Sequence, residues 1–253
     1  MPTGYENIRI AGGDTATPLA MAKRLQVIER HLRPTDRRFL DCGCGAGEYV
    51  VALVERLGLD AHGLEYEAQK VRQAQAKPLA RDRVAQGDLQ AVQFPSASWD
   101  CAMLNEVLEH VPDEQKALAE VFRILKPGGL LFIFSPNRWF PFETHGVRLK
   151  SSGRRVPHWI PFVPYLPLPL GKTVFDYWAR NYWQGQLAAL VKASEFSILE
   201  RSFVWLTFEG ISGRQPPFIR ATKGWLRRIS NTLEKTPLVR RFGVSQVLVC
   251  RKP

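Results

Sequence analysis

The run Phe39-Leu40-Asp41-Cys42-Gly43-Cys44-Gly45-Ala46-Gly47-Glu48-Tyr49 limits the fold more than any other stretch of the chain. A short strand pattern from Arg37 to Asp41 enters three glycines that alternate at Gly43, Gly45 and Gly47. An apolar helical pattern then runs from Tyr49 to about Leu57. Without Cβ atoms such a turn bends tightly and lets the backbone come within contact distance of a ligand. A strand joined to a helix in this way is one unit of a parallel α/β sheet.

The unit repeats. Leu59 to Leu64 predicts a second strand and Glu67 to Ala76 its helix; Arg83 to Gln86 and Trp99 to Asn105 predict the third and fourth strands. A helix over Asp113 to Leu125 is ended by Lys126-Pro127-Gly128-Gly129. Leu130 to Ser135 is a nearly continuous apolar run, as a strand buried on both faces requires. Upstream, Thr17-Pro18 opens a helix to about Leu32, with Pro34 beyond its end. The expected fold is a Rossmann-like α/β sheet, mostly parallel, with helices on both faces.

From Pro136 to Tyr182 the character changes. Pro157, Pro161, Pro164, Pro167 and Pro169 stand among Trp159, Phe162 and Tyr165, which excludes a regular helix or a central strand. Helical patterning returns from Trp183 to Ala193, strands are expected over Ser197 to Phe208 and Val244 to Arg251, and a basic helix lies between them from Phe218 to Lys235. We read one domain over 1–253. It has a cofactor-binding core at 34–137, an irregular lid inserted after the fifth strand at 138–182, and a C-terminal part at 183–253 that completes the sheet.

The net charge of +11 is unevenly placed. Met1 to Asn137 holds 16 Lys and Arg against 18 Asp and Glu, whereas Arg138 to Pro253 holds 19 against 6. The second half is therefore expected to meet something anionic. Trp225, Ile229 and Leu233 recur at intervals of four among Arg220, Lys223, Arg227, Arg228 and Lys235, with Ala221 on the same stripe. Such a helix can lie reversibly on an anionic bilayer. No apolar run reaches the roughly 20 residues that span a bilayer, and Met1 to Ile10 lacks a basic region followed by an apolar stretch. Cys42, Cys44, Cys101 and Cys250 fit no zinc spacing and read as reduced thiols. These features predict a cytoplasmic protein with reversible contact at the inner membrane face.

Acids follow successive strands. Asp41 precedes the glycine turn, Glu65 ends the second strand, and Gly87-Asp88-Leu89 follows the third. Dinucleotide sites prefer G-x-G-x-x-G before a pyrophosphate. Here the spacing is G-x-G-x-G, and an acid at its mouth repels a diphosphate but suits a ligand with an ammonium and a sulfonium. Glu65 is placed to accept from ribose hydroxyls.

These motifs, with Trp99-Asp100 through Val107-Leu108-Glu109-His110-Val111-Pro112 to Leu125-Lys126-Pro127-Gly128-Gly129, closely resemble the class I methyltransferases, especially the quinone-biosynthesis and small-molecule branch. The resemblance covers roughly Phe39 to Asn137. It implies a seven-stranded sheet with its last strand inserted antiparallel, and S-adenosylmethionine as cofactor. By position it implies that Asp41 with Gly43, Gly45 and Gly47 holds the methionine portion, Glu65 the ribose, and Asp88 with Leu89 the adenine. Asn105 and Glu106 would lie beside the methionine portion.

Methyl transfer from a sulfonium needs an acceptor held in line and, for a hydroxyl acceptor, a base. His145 and His110 are the candidates, with Glu143 placed to orient His145. Glu106, Glu109 and His110 form E-x-x-E-H, similar to a run proposed to hold a divalent cation in some quinone O-methyltransferases. One short run assigns no metal here. Aromatics bordered by Arg148, Lys150, Arg154, Arg155, Lys172 and Arg180 suit a small-molecule, glycan or lipid-linked acceptor with an anionic head. Two rivals differ in class. An RNA methyltransferase would use the basic half, but Asn105-Glu106-Val107-Leu108 lacks the Pro-Pro-Tyr or Pro-Pro-Trp type of tetrad seen in many amine methylators. The other rival is a non-catalytic cofactor-binding scaffold, against which the intact acids and glycines argue.

Overall fold

A computed structural model describes residues 17–158, 160–209 and 217–253, so Trp159 lies outside the described residues. So do the side chains of Arg220, Ala221 and Lys223. The elements run α1 (Pro18–His31), β1 (Arg38–Cys42), α2 (Glu48–Leu57), β2 (Asp60–Glu65), α3 (Ala68–Gln75), β3 (Val84–Gln86), β4 (Trp99–Asn105), α4 (Glu114–Ile124) and β5 (Leu125–Pro136). Then follow β6 (Val147–Leu149), α5 (Leu168–Val174), β7 (Phe175–Tyr177), α6 (Gln184–Ala193), β8 (Ser197–Val204), α7 (Pro217–Lys235) and β9 (Ser245–Arg251).

Seven strands form one sheet in the order β3-β2-β1-β4-β5-β9-β8. The first five pair in parallel, and β9 runs antiparallel between β5 and β8. The expected topology is therefore present. Its core has two layers. Leu40, Leu104, Leu131 and Ile133 face α4 and α6, while Phe39, Met103, Phe132 and Phe134 face α1 and α2. Both faces of β4 and β5 are covered, which is why their sequences are almost wholly apolar. All four cysteines are free and buried.

Three expectations change. Lys126 to Gly129 does not separate helix from strand but lies inside β5, whose pairing slips between Trp99 and Cys101. Strand β8 stops at Val204 rather than Phe208, where a left-handed φ of +55° turns the chain away. The insertion is also less irregular than its prolines suggest. Residues Val147–Leu149 and Phe175–Tyr177, free of proline, pair as an antiparallel ribbon over a small core of Val147, Val156 and Val163. Pro169 falls in the first turn of α5, where its missing N–H costs nothing.

Helix α7 turns Ser230 inward, its hydroxyl donating to the Leu206 carbonyl at 2.7 Å. Ile229 and Leu233 are half-buried. Trp225 points outward, 64% exposed. Among the described residues, no helix is long and apolar enough to cross a membrane.

Candidate active site

The three glycines of the turn are required for different reasons. All have left-handed backbones, with φ of +78°, +56° and +79°. A Cβ on Gly43 would lie 2.5 Å from Val107 Cγ2, and one on Gly47 would lie 3.0 Å from Ala74 Cβ. The protein itself thus excludes side chains at these two positions. At Gly45 a Cβ meets nothing within 4 Å. Its open side is a cradle that a side chain would fill, as expected where a ligand approaches the backbone.

The turn is tied to β2. Gly43 N and Cys44 N both donate to the Leu64 carbonyl, at 2.7 and 3.1 Å. Glu65, buried at the end of β2, accepts from Gly45 N at 2.8 Å and Glu67 N at 2.9 Å. Each carboxylate oxygen keeps a second acceptor site for a hydroxyl. Asp41 is buried one strand away, in register with Gly63 and Met103. Burial, then the Glu65 and Glu48 carboxylates, push its carboxyl up to about 8.

A cleft of about 100 Å³, open to solvent, lies over these strand ends; its walls include Gly43, Glu65, Leu89, Glu106, Val107 and His110. Asp88 accepts from Gln90 N at 2.8 Å and sits between two lining residues, Gly87 and Leu89. Asn105 ends β4, and its buried Oδ1 has no hydrogen-bond partner among the described residues. Glu106 follows with a strained left-handed φ of +56°.

Glu106 has partners that sequence patterning does not reveal. The buried guanidinium of Arg24, from α1, donates to its Oε1 at 3.1 Å, and the Ser245 hydroxyl donates to the same oxygen. Arg24 is separated from Glu106 by 82 positions, and nothing local distinguishes it from the other basic residues of α1.

The histidines come together. Their ring centroids are 5.2 Å apart, and His145 Nε2 lies 3.5 Å from Glu109 Oε1 and 3.9 Å from Glu106 Oε2. Burial and the Glu106 carboxylate hold the Glu109 carboxyl well above its ordinary range. Burial, followed by the neighbouring His145, lowers His110 to about 3. Glu109, His110 and His145 also offer ligand atoms within 4.8 Å of one another, an arrangement that could hold a metal ion. The sequence marked Glu109 only as part of a short run; its link to His145 is a tertiary contact.

Glu143 does not meet the expectation that it orients the His145 ring. Its carboxylate accepts from the main-chain N of His145 at 3.0 Å and from Asn181 Nδ2 at 2.7 Å. The ring contact of His145 Nδ1 is with Thr144 Oγ1 at 3.1 Å. With one oxygen on the His145 main chain and the other on Asn181, the carboxylate fixes the loop rather than the imidazole.

This sheet order, with an open glycine cradle and acids on successive strand ends, defines a Rossmann-like nucleoside-binding domain. Residues 40–133 match the family described as "Methyltransferase domain". A probable S-adenosylmethionine-dependent methyltransferase of Mycolicibacterium smegmatis is 32% identical over 118 residues, 46% of this chain and 45% of that protein. A ubiquinone biosynthesis O-methyltransferase of Xanthomonas axonopodis is 32% identical over 119 residues, 46% of this chain and 49% of that one. The chain spans about half the length of the curated relatives it matches. A crystal structure of an S-adenosylmethionine-dependent methyltransferase from Mesorhizobium loti shares the fold, with a TM-score of 0.57 at 18% identity over 89% of this chain and 96% of that one. Residues 40–133 are thus similar to class I methyltransferase domains, and S-adenosylmethionine is the cofactor that this similarity implies.

Proposed function

We propose that the chain transfers a methyl group from S-adenosylmethionine to a hydroxyl of a small-molecule, glycan or lipid-linked acceptor. The observation that carries this reading is the cleft itself, with the open cradle at Gly45 bonded to Glu65 and His110 on the walls, and His145 beside His110. Asp41 and the glycine turn take the methionine portion, Glu65 the ribose, Asp88 with Leu89 the adenine, and Asn105 with Glu106 flank the methionine. When bound, the cofactor supplies an electrophilic methyl on a sulfonium. The chain's own part is to hold the acceptor in line and take up its proton. Arg148 and Arg155, stacked on Trp178 at 5.2 and 4.6 Å, suit an anionic group on the acceptor.

Calorimetry tests the cofactor assignment. Micromolar-range binding is expected for S-adenosylmethionine, with comparable affinity for its demethylated product. No heat with either, alongside clear binding of a nicotinamide dinucleotide, overturns it. Glu65→Ala should weaken binding by about 1–3 kcal/mol, since a charged acceptor is lost and the Gly45 N–H is freed.

Asp41 adds a proton signature. A carboxyl near 8 is mostly protonated at pH 7, and a cationic ligand favours its carboxylate. Binding should therefore release close to one proton at pH 7, read from observed heats in buffers of different ionisation enthalpy. Affinity should rise with pH until about 8 and then level off. In the unliganded protein the sign is opposite. The folded-state value lies above the ordinary 3.8, so the stability Asp41 contributes is present below 3.8 and lost as pH rises through about 8. Buffer-independent heats would remove Asp41 from the site.

A further inference from the structure

Phe162 and Leu238 are 59% and 70% exposed, and both have left-handed backbones, with φ of +67° and +68°. Each follows a proline and leads into a 3-10 turn, Val163–Tyr165 in one case and Val239–Phe242 in the other. A bulky residue at positive φ is strained where glycine would not be. Leaving that residue's apolar side chain in water adds a second cost. Two proline-led tips, from parts of the chain far apart in sequence, therefore both carry a positive φ and an exposed apolar side chain. Strain of this kind concentrates at functional surfaces.

An unbroken series of rings runs from the Phe162 tip to Phe242, at the end of the turn that Leu238 opens. Phe162 meets Tyr165 at 5.5 Å, Tyr165 meets Trp183 at 6.0 Å, Trp183 meets Trp139 at 5.7 Å, and Trp139 meets Phe242 at 5.5 Å. The collar is held from beneath. Arg138, buried and 5.0 Å from the Trp183 ring, donates from Nε to the Pro164 carbonyl at 2.6 Å. The Tyr165 hydroxyl donates to the Trp139 carbonyl at 2.6 Å. Arg240 and Arg241 stand exposed in the Leu238 turn, and the sequence has no Asp or Glu from 157 to 175 or from 236 to 251.

We propose that this collar docks the protein on an anionic lipid surface, and that it, rather than α7, makes the apolar contact. Trp and Tyr rings with flanking arginines suit the headgroup region, and two protruding apolar tips suit its hydrocarbon edge. A second copy would set Arg240 and Arg241 against their own like charges. A nucleic acid could stack on the rings but gives Leu238 no partner. The collar also begins at Trp139, six positions before His145. A lipid-linked acceptor lifted from the surface would thus reach the cleft along one short segment. That delivery rests on the methyltransferase reading; the docking does not.

The test is sedimentation of the full chain with phosphatidylglycerol–phosphatidylcholine vesicles and with phosphatidylcholine alone, at low and moderate salt. The protein should pellet with anionic vesicles at low salt and be released as salt rises. Phe162→Glu or Leu238→Glu should lower the bound fraction at least about tenfold, while Trp225→Glu stays within about twofold of wild type. Calorimetry with S-adenosylmethionine on the same variants checks that they fold and keeps this result separate from the cofactor assignment. The proposal is overturned if the wild type stays in the supernatant with anionic vesicles at low salt, or binds neutral vesicles equally. It is also overturned if only Trp225→Glu loses binding, or if light scattering shows a dimer that Phe162→Glu dissolves.

Discussion

Gly45→Val should abolish cofactor binding, lowering affinity by at least about 100-fold, while the domain still folds. The two effects separate because of what surrounds the position. Among the described residues, and its two chain neighbours aside, none comes within 4 Å of a Cβ built there, so the substitution meets no steric obstacle from them. Its cost to stability is the strain of a β-branched residue at φ +56°, about 1–3 kcal/mol. The space it fills is the cradle through which the backbone approaches a ligand, and the Gly45 N–H is the group that Glu65 holds in place. Gly43→Ala is the contrasting variant. Its Cβ would fall 2.5 Å from Val107 Cγ2, so its main loss should be in thermal stability. Circular dichroism melts and calorimetry on the pair read the two quantities independently. If Gly45→Val binds S-adenosylmethionine within about threefold of wild type, the cofactor lies elsewhere, because a side chain cannot share that space.

What the sequence disclosed follows from how local each signal is. The glycine turn and the all-apolar β4 and β5 are legible because their constraints, tight backbone approach and burial on both faces, act on consecutive residues. The acids at 41, 65 and 88 are legible for the same reason, since each lies within two residues of the end of a strand. Arg24 is not, because its partner Glu106 lies across the sheet and an amphipathic helix gives no sign that one of its cations is buried. The ribbon of β6 and β7 was hidden by the prolines between its strands, which are 25 residues apart in sequence at their nearest ends and find each other only through tertiary pairing. Glu143 differs in another way. Its nearness to His145 in sequence suggested a contact between side chains, whereas the loop turns its carboxylate onto the main chain. The collar was legible as composition only, because exposure of Phe162 and Leu238 depends on the left-handed turns that raise them.

His145→Ala should reduce turnover by roughly 10²–10⁴-fold while leaving cofactor affinity nearly intact, provided the acceptor is a hydroxyl. The geometry separates the two histidines. His110 is held to about 3 by burial and by its neighbour, so a proton placed on it at neutral pH is lost at once and it makes a poor base. His145 instead presents Nε2 at 3.5 Å from Glu109 Oε1 and 3.9 Å from Glu106 Oε2, so its ring is the one held beside the two carboxyl groups. His110→Ala should therefore cost less, mainly through packing against His145 at the cleft wall. Imidazole added to His145→Ala should restore part of the rate, which a merely structural loss would not allow. Full activity in His145→Ala with collapse in His110→Ala would transfer the role to His110. A chelator provides the remaining arm, since Glu109, His110 and His145 could also hold a cation. If the wild type loses its activity to a chelator and regains it with a divalent cation, the triad acts through a metal, and imidazole rescue should then fail.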